Sequence, residues 1–105
     1  TSSIARAIRR FGPEITSAVL TNMAEAFPDQ KLNHGGAIFG GLISIMSKPP
    51  ADLDPDRLID ALRTKTADEW GIYAAGLNGG DLRVAALRDA IMGTYNQITP
   101  PLSSL

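Results

Sequence analysis

The chain has no cysteine, and His34 is the single histidine among its 105 residues. The first absence excludes disulfides, thiolate metal sites and thiol nucleophiles. The second excludes a two-histidine zinc site and acid–base chemistry by paired imidazoles. No sign of charge prevails either. Ten basic and eleven acidic residues leave a net charge of −1, so no global attraction to nucleic acid or to a membrane surface is built in. The longest mostly apolar stretch, Ala37 to Met46, spans ten residues and includes two glycines, against about 20 residues needed to cross a bilayer. No secretory signal is visible in the sequence, since no apolar segment follows the arginines of the first twelve residues. The first residue is Thr1 rather than methionine, which leads us to expect a domain cut from a longer protein. The lack of cysteine suits a cytoplasmic setting.

Apolar residues at 44% and charged residues at 20% are ordinary for a folded globular chain. A length of 105 residues fits one small domain, expected over residues 1–98 with a tail at 99–105. Helix punctuation recurs along it. Ser3 can cap a helix from Ile4 to Phe11 that stops at Gly12. Pro13 suits the first position of a second helix, whose Ile15, Val19, Leu20, Met23 and Phe27 share one face. Asn33 can cap a third, about residues 34–48. Ile38, Phe39, Leu42, Ile43, Ile45 and Met46 cover most of its circumference, which makes it the expected central element. Its paired glycines, Gly35–Gly36 and Gly40–Gly41, are expected to allow close helix crossing. Asp54-Pro55-Asp56 starts a fourth helix, ending near Arg63 or Thr64. Thr66 to Glu69 has the form of a capping box opening a fifth, which carries Trp70, Tyr73 and Leu77. Asp81 caps a sixth, about Leu82 to Gln97, with Val84, Leu87, Ile91 and Tyr95 on one face. No run alternates like a strand. The expected fold class is all-α, a compact array of five to six short helices around the apolar helix at about 34–48.

Candidate chemistry is thin. The glycines between Gly35 and Gly41 lack both the following lysine and the preceding strand of a phosphate loop. Counted from Asp52, the alternating acids Asp52, Asp54 and Asp56 meet Arg57 and Arg63 where a calcium loop needs glycine and glutamate. His34 has no carboxylate partner at a useful spacing. An enzyme is therefore not expected, nor a cofactor or a bound metal. Arg6, Arg9 and Arg10 share one side of the first helix, with no acid before Glu14, and Arg63 and Lys65 add a second basic spot. These five residues are the candidate DNA contacts, with a solvated face or a packing surface as the alternative. Lys65-Thr66, ahead of a helix N-terminus, is a weaker phosphate candidate. Trp70 and Tyr73, expected to be exposed apolar residues, are the candidates for binding a protein partner or a second copy.

In order, Ile8-Arg9-Arg10-Phe11-Gly12-Pro13-Glu14-Ile15, Ala24-Glu25-Ala26-Phe27-Pro28, a Gly-Ala-Ile stretch, Asp56 to Arg63 and Ala90-Ile91-Met92-Gly93-Thr94-Tyr95-Asn96 form a pattern. It resembles the helical C-terminal region of ParB-like nuclease-domain proteins of actinobacteria and their phages, over about residues 4–97. The glycine–glutamine–histidine–arginine motif of the ParB-like core has no counterpart here, so no activity of that core is carried over. The resemblance implies a cytoplasmic, DNA-associated parent protein with this chain as a non-catalytic accessory module, contributing weak nucleic-acid or partner binding. The alternative is a protein-interaction or oligomerisation bundle without DNA contact. Neither reading involves a membrane.

Overall fold

A serine hydroxyl opens the fold. In the computed structural model, which describes residues 2–28 and 34–98, Ser2 Oγ accepts the Ala5 N–H at 3.2 Å and caps α1 (Ser3–Phe11). Ser3, the expected cap, is instead the first helical residue. Gly12, with φ at +88°, ends α1 and also precedes α2 (Pro13–Ala26). That left-handed value favours glycine, and Pro13 then sets the first turn of α2. The Asn33 cap and the 99–105 tail lie outside the described residues, as does the side chain of His34.

Helix α3 (His34–Ser47) is the centre of the packing. It lies against α1 and α6, and Ile38, Leu42, Ile43, Ile45 and Met46 are all buried. Phe39, expected inside, is 43% exposed. The paired glycines divide. A Cβ on Gly41 would stand 3.2 Å from Leu87 Cδ1, so α6 does approach closely there, whereas one on Gly40 would meet nothing within 4 Å. Close crossing therefore explains Gly41 and not Gly40.

Asp54 Oδ1 accepts the Asp56 N–H at 3.0 Å and starts α4 (Pro55–Asp60). A single 3-10 turn (Ala61–Arg63) follows and packs on α2. The capping box forms: Thr66 Oγ1 accepts the Glu69 N–H at 3.2 Å and donates to Glu69 Oε1 at 3.1 Å. It opens α5 (Ala67–Ala75), which packs along α6 (Leu82–Ile98). Asp81 Oδ1 accepts the Arg83 N–H at 2.8 Å at the start of α6. Val84, Leu87 and Ile91 of α6 are buried and Tyr95 is half-buried.

Every regular element among the described residues is helical, so the domain is an all-α array of short helices. None of those helices is long and apolar enough to cross a membrane.

Candidate functional sites

The five candidate basic residues are all exposed, but they do not act alike. Arg10 Nε donates to the Ser47 carbonyl at 2.8 Å and ties α1 to the last turn of α3. A guanidinium suits this place, because the final carbonyls of a helix carry its negative end. One donor of Arg10 is thereby committed to the fold, while the residue stays exposed. Arg6 and Arg9 make no hydrogen bond or ion pair with the described residues. At about 100° per residue they share the outer side of α1, opposite the buried Ala7. Arg63 sits on the 3-10 turn, against α2 and α4 rather than on α1's face. The phosphate candidate at Lys65-Thr66 is already occupied: the Lys65 N–H points to Glu69 Oε1 at 3.4 Å, within the chain's own cap.

Trp70 and Tyr73 are not surface residues. Trp70 is 0% and Tyr73 5% exposed. Spaced three apart on α5, they share the side packed against the core, where Gly71 admits the Tyr95 ring. The expectation that they present an exposed docking face is corrected on that ground. The apolar side chains that do reach solvent include Ile4, Ile8, Ile59 and Ile72.

Two of these, Ile4 and Ile8, open onto a groove of about 350 Å³ between α1 and α2. Pro13, Ser17, Leu20 and Ala24 supply its α2 side. The wall also includes Thr16, whose hydroxyl is buried with no hydrogen-bond partner. The exposed charges of the two helices are of opposite sign. Arg6 and Arg9 lie on α1, while Glu14 and Glu25 lie on α2, all four exposed.

A second cavity, of about 250 Å³, is bounded by Arg57, Asp60, Arg63, Thr64, Glu69, Ile72 and Tyr73. The Tyr73 hydroxyl is buried at its wall without a partner. Burial, reinforced by the Asp60 carboxylate and opposed by the Arg57 guanidinium, pushes that phenol well above its ordinary range. The spacings that build this cavity are regular. Arg57, Asp60 and Thr64 are neighbours on one side of the α4 segment, and Glu69, Ile72 and Tyr73 on one side of α5. That paired i, i+3 and i+4 pattern was the available sequence signal. It is silent about which two helix sides meet.

Asp52 serves the backbone. Asp52 Oδ2 accepts the Gly80 N–H at 2.9 Å, and a Cβ on Gly79 would lie 3.1 Å from the same oxygen. No group of three histidine, aspartate or glutamate side chains among the described residues is placed to hold a metal ion. No protein-family model, no curated protein and no solved structure matches the chain.

Proposed function

We propose that the domain is a non-catalytic interaction module working through the α1–α2 groove, and that a second copy of the chain fills it. The observation that carries this reading is the exposure of Ile4 and Ile8, at 41% and 39%, along an almost wholly apolar groove. Grouped apolar side chains at a surface lower the free energy when covered. The charges favour a copy of the same chain over a uniformly acidic or basic partner. A two-fold axis along the groove lays each α1 over the other copy's α2, which brings the basic helix of one copy beside the acidic helix of the other twice.

Sedimentation equilibrium over a concentration series tests it. The expected result is a monomer–dimer equilibrium that Ile8→Glu abolishes while the circular dichroism spectrum stays helical. A monomer at all concentrations overturns the reading.

Exposed Arg6, Arg9, Arg10, Arg63 and Lys65 favour a second reading, the accessory DNA module that the resemblance to ParB-like proteins implies. That reading requires binding to random duplex DNA that weakens between about 50 and 200 mM salt and is lost in Arg9→Glu. Fluorescence anisotropy distinguishes the two. Under the lead proposal, DNA produces no saturable change at the lower salt.

A further inference from the structure

The cavity between α4 and α5 has a chemistry that the groove lacks. Its walls bring two guanidinium groups, Arg57 and Arg63, together with two carboxylates, Asp60 and Glu69. No two of these four form an ion pair, although opposite charges share one cavity. Glu69 engages only Oε1, in the helix cap, and Oε2 accepts nothing from the described residues. At the wall stands the Tyr73 hydroxyl, which neither donates to nor accepts from the described residues. A buried polar atom without a partner is destabilising, and a ligand that supplies the missing acceptor offsets that cost. The lip carries Ile72, 75% exposed.

From this juxtaposition we propose that the cavity binds a small zwitterion of the free α-amino acid class. The ligand carboxylate accepts from Tyr73 and from the guanidinium groups of Arg57 and Arg63, charge-assisted bonds that are stronger than neutral ones. The ligand ammonium donates to Asp60, with Glu69 Oε2 as its second acceptor. An aliphatic side chain lies over Ile72. Because the lining charges cancel, a simple anion or cation gains from one pair and is repelled by the other, whereas a zwitterion satisfies both. A volume of about 250 Å³ falls below the roughly 300–1,000 Å³ of drug-sized sites, which restricts the ligand to a few heavy atoms beyond the carboxylate. The site lies apart from the α1–α2 groove and does not depend on the proposal made for it.

The experiment is a titration of the 105-residue chain with L-leucine, acetate and methylammonium in parallel. It is followed by backbone amide NMR and by Trp70 fluorescence, since the ring of this single tryptophan lies 5.5 Å from that of Tyr73. Leucine is expected to shift the amides of residues 57–73 saturably and at least about tenfold more tightly than acetate or methylammonium. Arg57→Gln and Tyr73→Phe are each expected to weaken leucine, with the helical spectrum retained. Asp60→Asn provides a readout that a folding defect does not imitate: it weakens leucine while leaving acetate unchanged or stronger. Acetate binding as tightly as leucine, or no saturable change with leucine up to about 50 mM, overturns the proposal. Retention of leucine affinity in Asp60→Asn does so as well.

Discussion

The ring of Tyr73 stands edge-on to the indole of Trp70, with centroids 5.5 Å apart and planes at 85°. Such a pair contributes about 0.5–1.5 kcal/mol beyond the area it buries, and here it joins the helical core to the α4–α5 cavity. Trp70 is fully enclosed, so Trp70→Ala is expected to cost about 3–5 kcal/mol. Urea denaturation measures this directly. A loss below about 1 kcal/mol would return Trp70 to the surface role that its sequence position suggested.

Tyr73→Phe separates ring from hydroxyl. The ring packing is kept, and the oxygen removed has no partner among the described residues. Removing an unsatisfied buried polar atom is expected to be neutral or stabilising. A destabilisation greater than about 1 kcal/mol by urea titration would show that the hydroxyl already has a hydrogen bond.

Gly40 and Gly41 are adjacent in sequence and opposite in environment. Gly40→Ala adds a methyl to open space and is expected to stabilise by about 0.5–1 kcal/mol through helix propensity. Gly41→Ala sets its Cβ 3.2 Å from Leu87 Cδ1, and Leu87 is itself enclosed. Its gain is expected to be smaller than that of Gly40→Ala or reversed. Paired thermal melts of the two variants settle the order.

Much of the fold was legible because it is written locally. Gly12, Pro13, Asp54-Pro55 and the Thr66–Glu69 box determine helix ends through backbone geometry and side-chain caps, and all of them act where the sequence places them. Burial was harder to read where one element meets another. Thr16 and Asn22 are buried in α2 although both are polar. Asn22 is accommodated because its amide donates to the Leu62 carbonyl across the core, a partner forty residues away. The hydrogen bond of Arg10 is hidden for a similar reason, since nothing in its own helix reveals the Ser47 carbonyl. The α4–α5 cavity depends on which two helix sides face each other, and one sequence does not state that.

Arg10 and Arg9 therefore make a diagnostic pair. Arg10→Ala removes the bond from α1 to Ser47 and is expected to destabilise by about 1 kcal/mol, a value kept low because the side chain is exposed. Arg9→Ala removes no bond to the described residues and is expected to stay within about 0.5 kcal/mol of the unsubstituted chain. Equal effects of the two in urea denaturation would contradict the structural assignment of Arg10.

Asp81 couples acid stability to the start of α6. Its carboxylate accepts from the Arg83 side chain through Oδ1 and Oδ2, each at 3.1 Å, and from the Arg83 N–H at 2.8 Å. The Arg83 side-chain hydrogen bonds, followed by that of its backbone amide, hold the Asp81 carboxyl below its ordinary value of 3.8. Arg83 in turn reaches the Ser44 carbonyl of α3 at 3.3 Å. The sign follows from linkage. Because the folded state binds this proton less readily than the unfolded state, the contribution is complete above the unfolded value. It fades as pH falls through the ordinary carboxylate range toward the lower folded value. Asp81→Asn removes this titration and keeps an acceptor for the backbone cap. Thermal melts between about pH 6 and pH 2 are expected to show a shallower acid-side decline in Asp81→Asn than in the unsubstituted chain. Parallel declines would mean that other carboxylates carry the acid sensitivity, and that Arg83 holds α6 to α3 without help from the charge on Asp81.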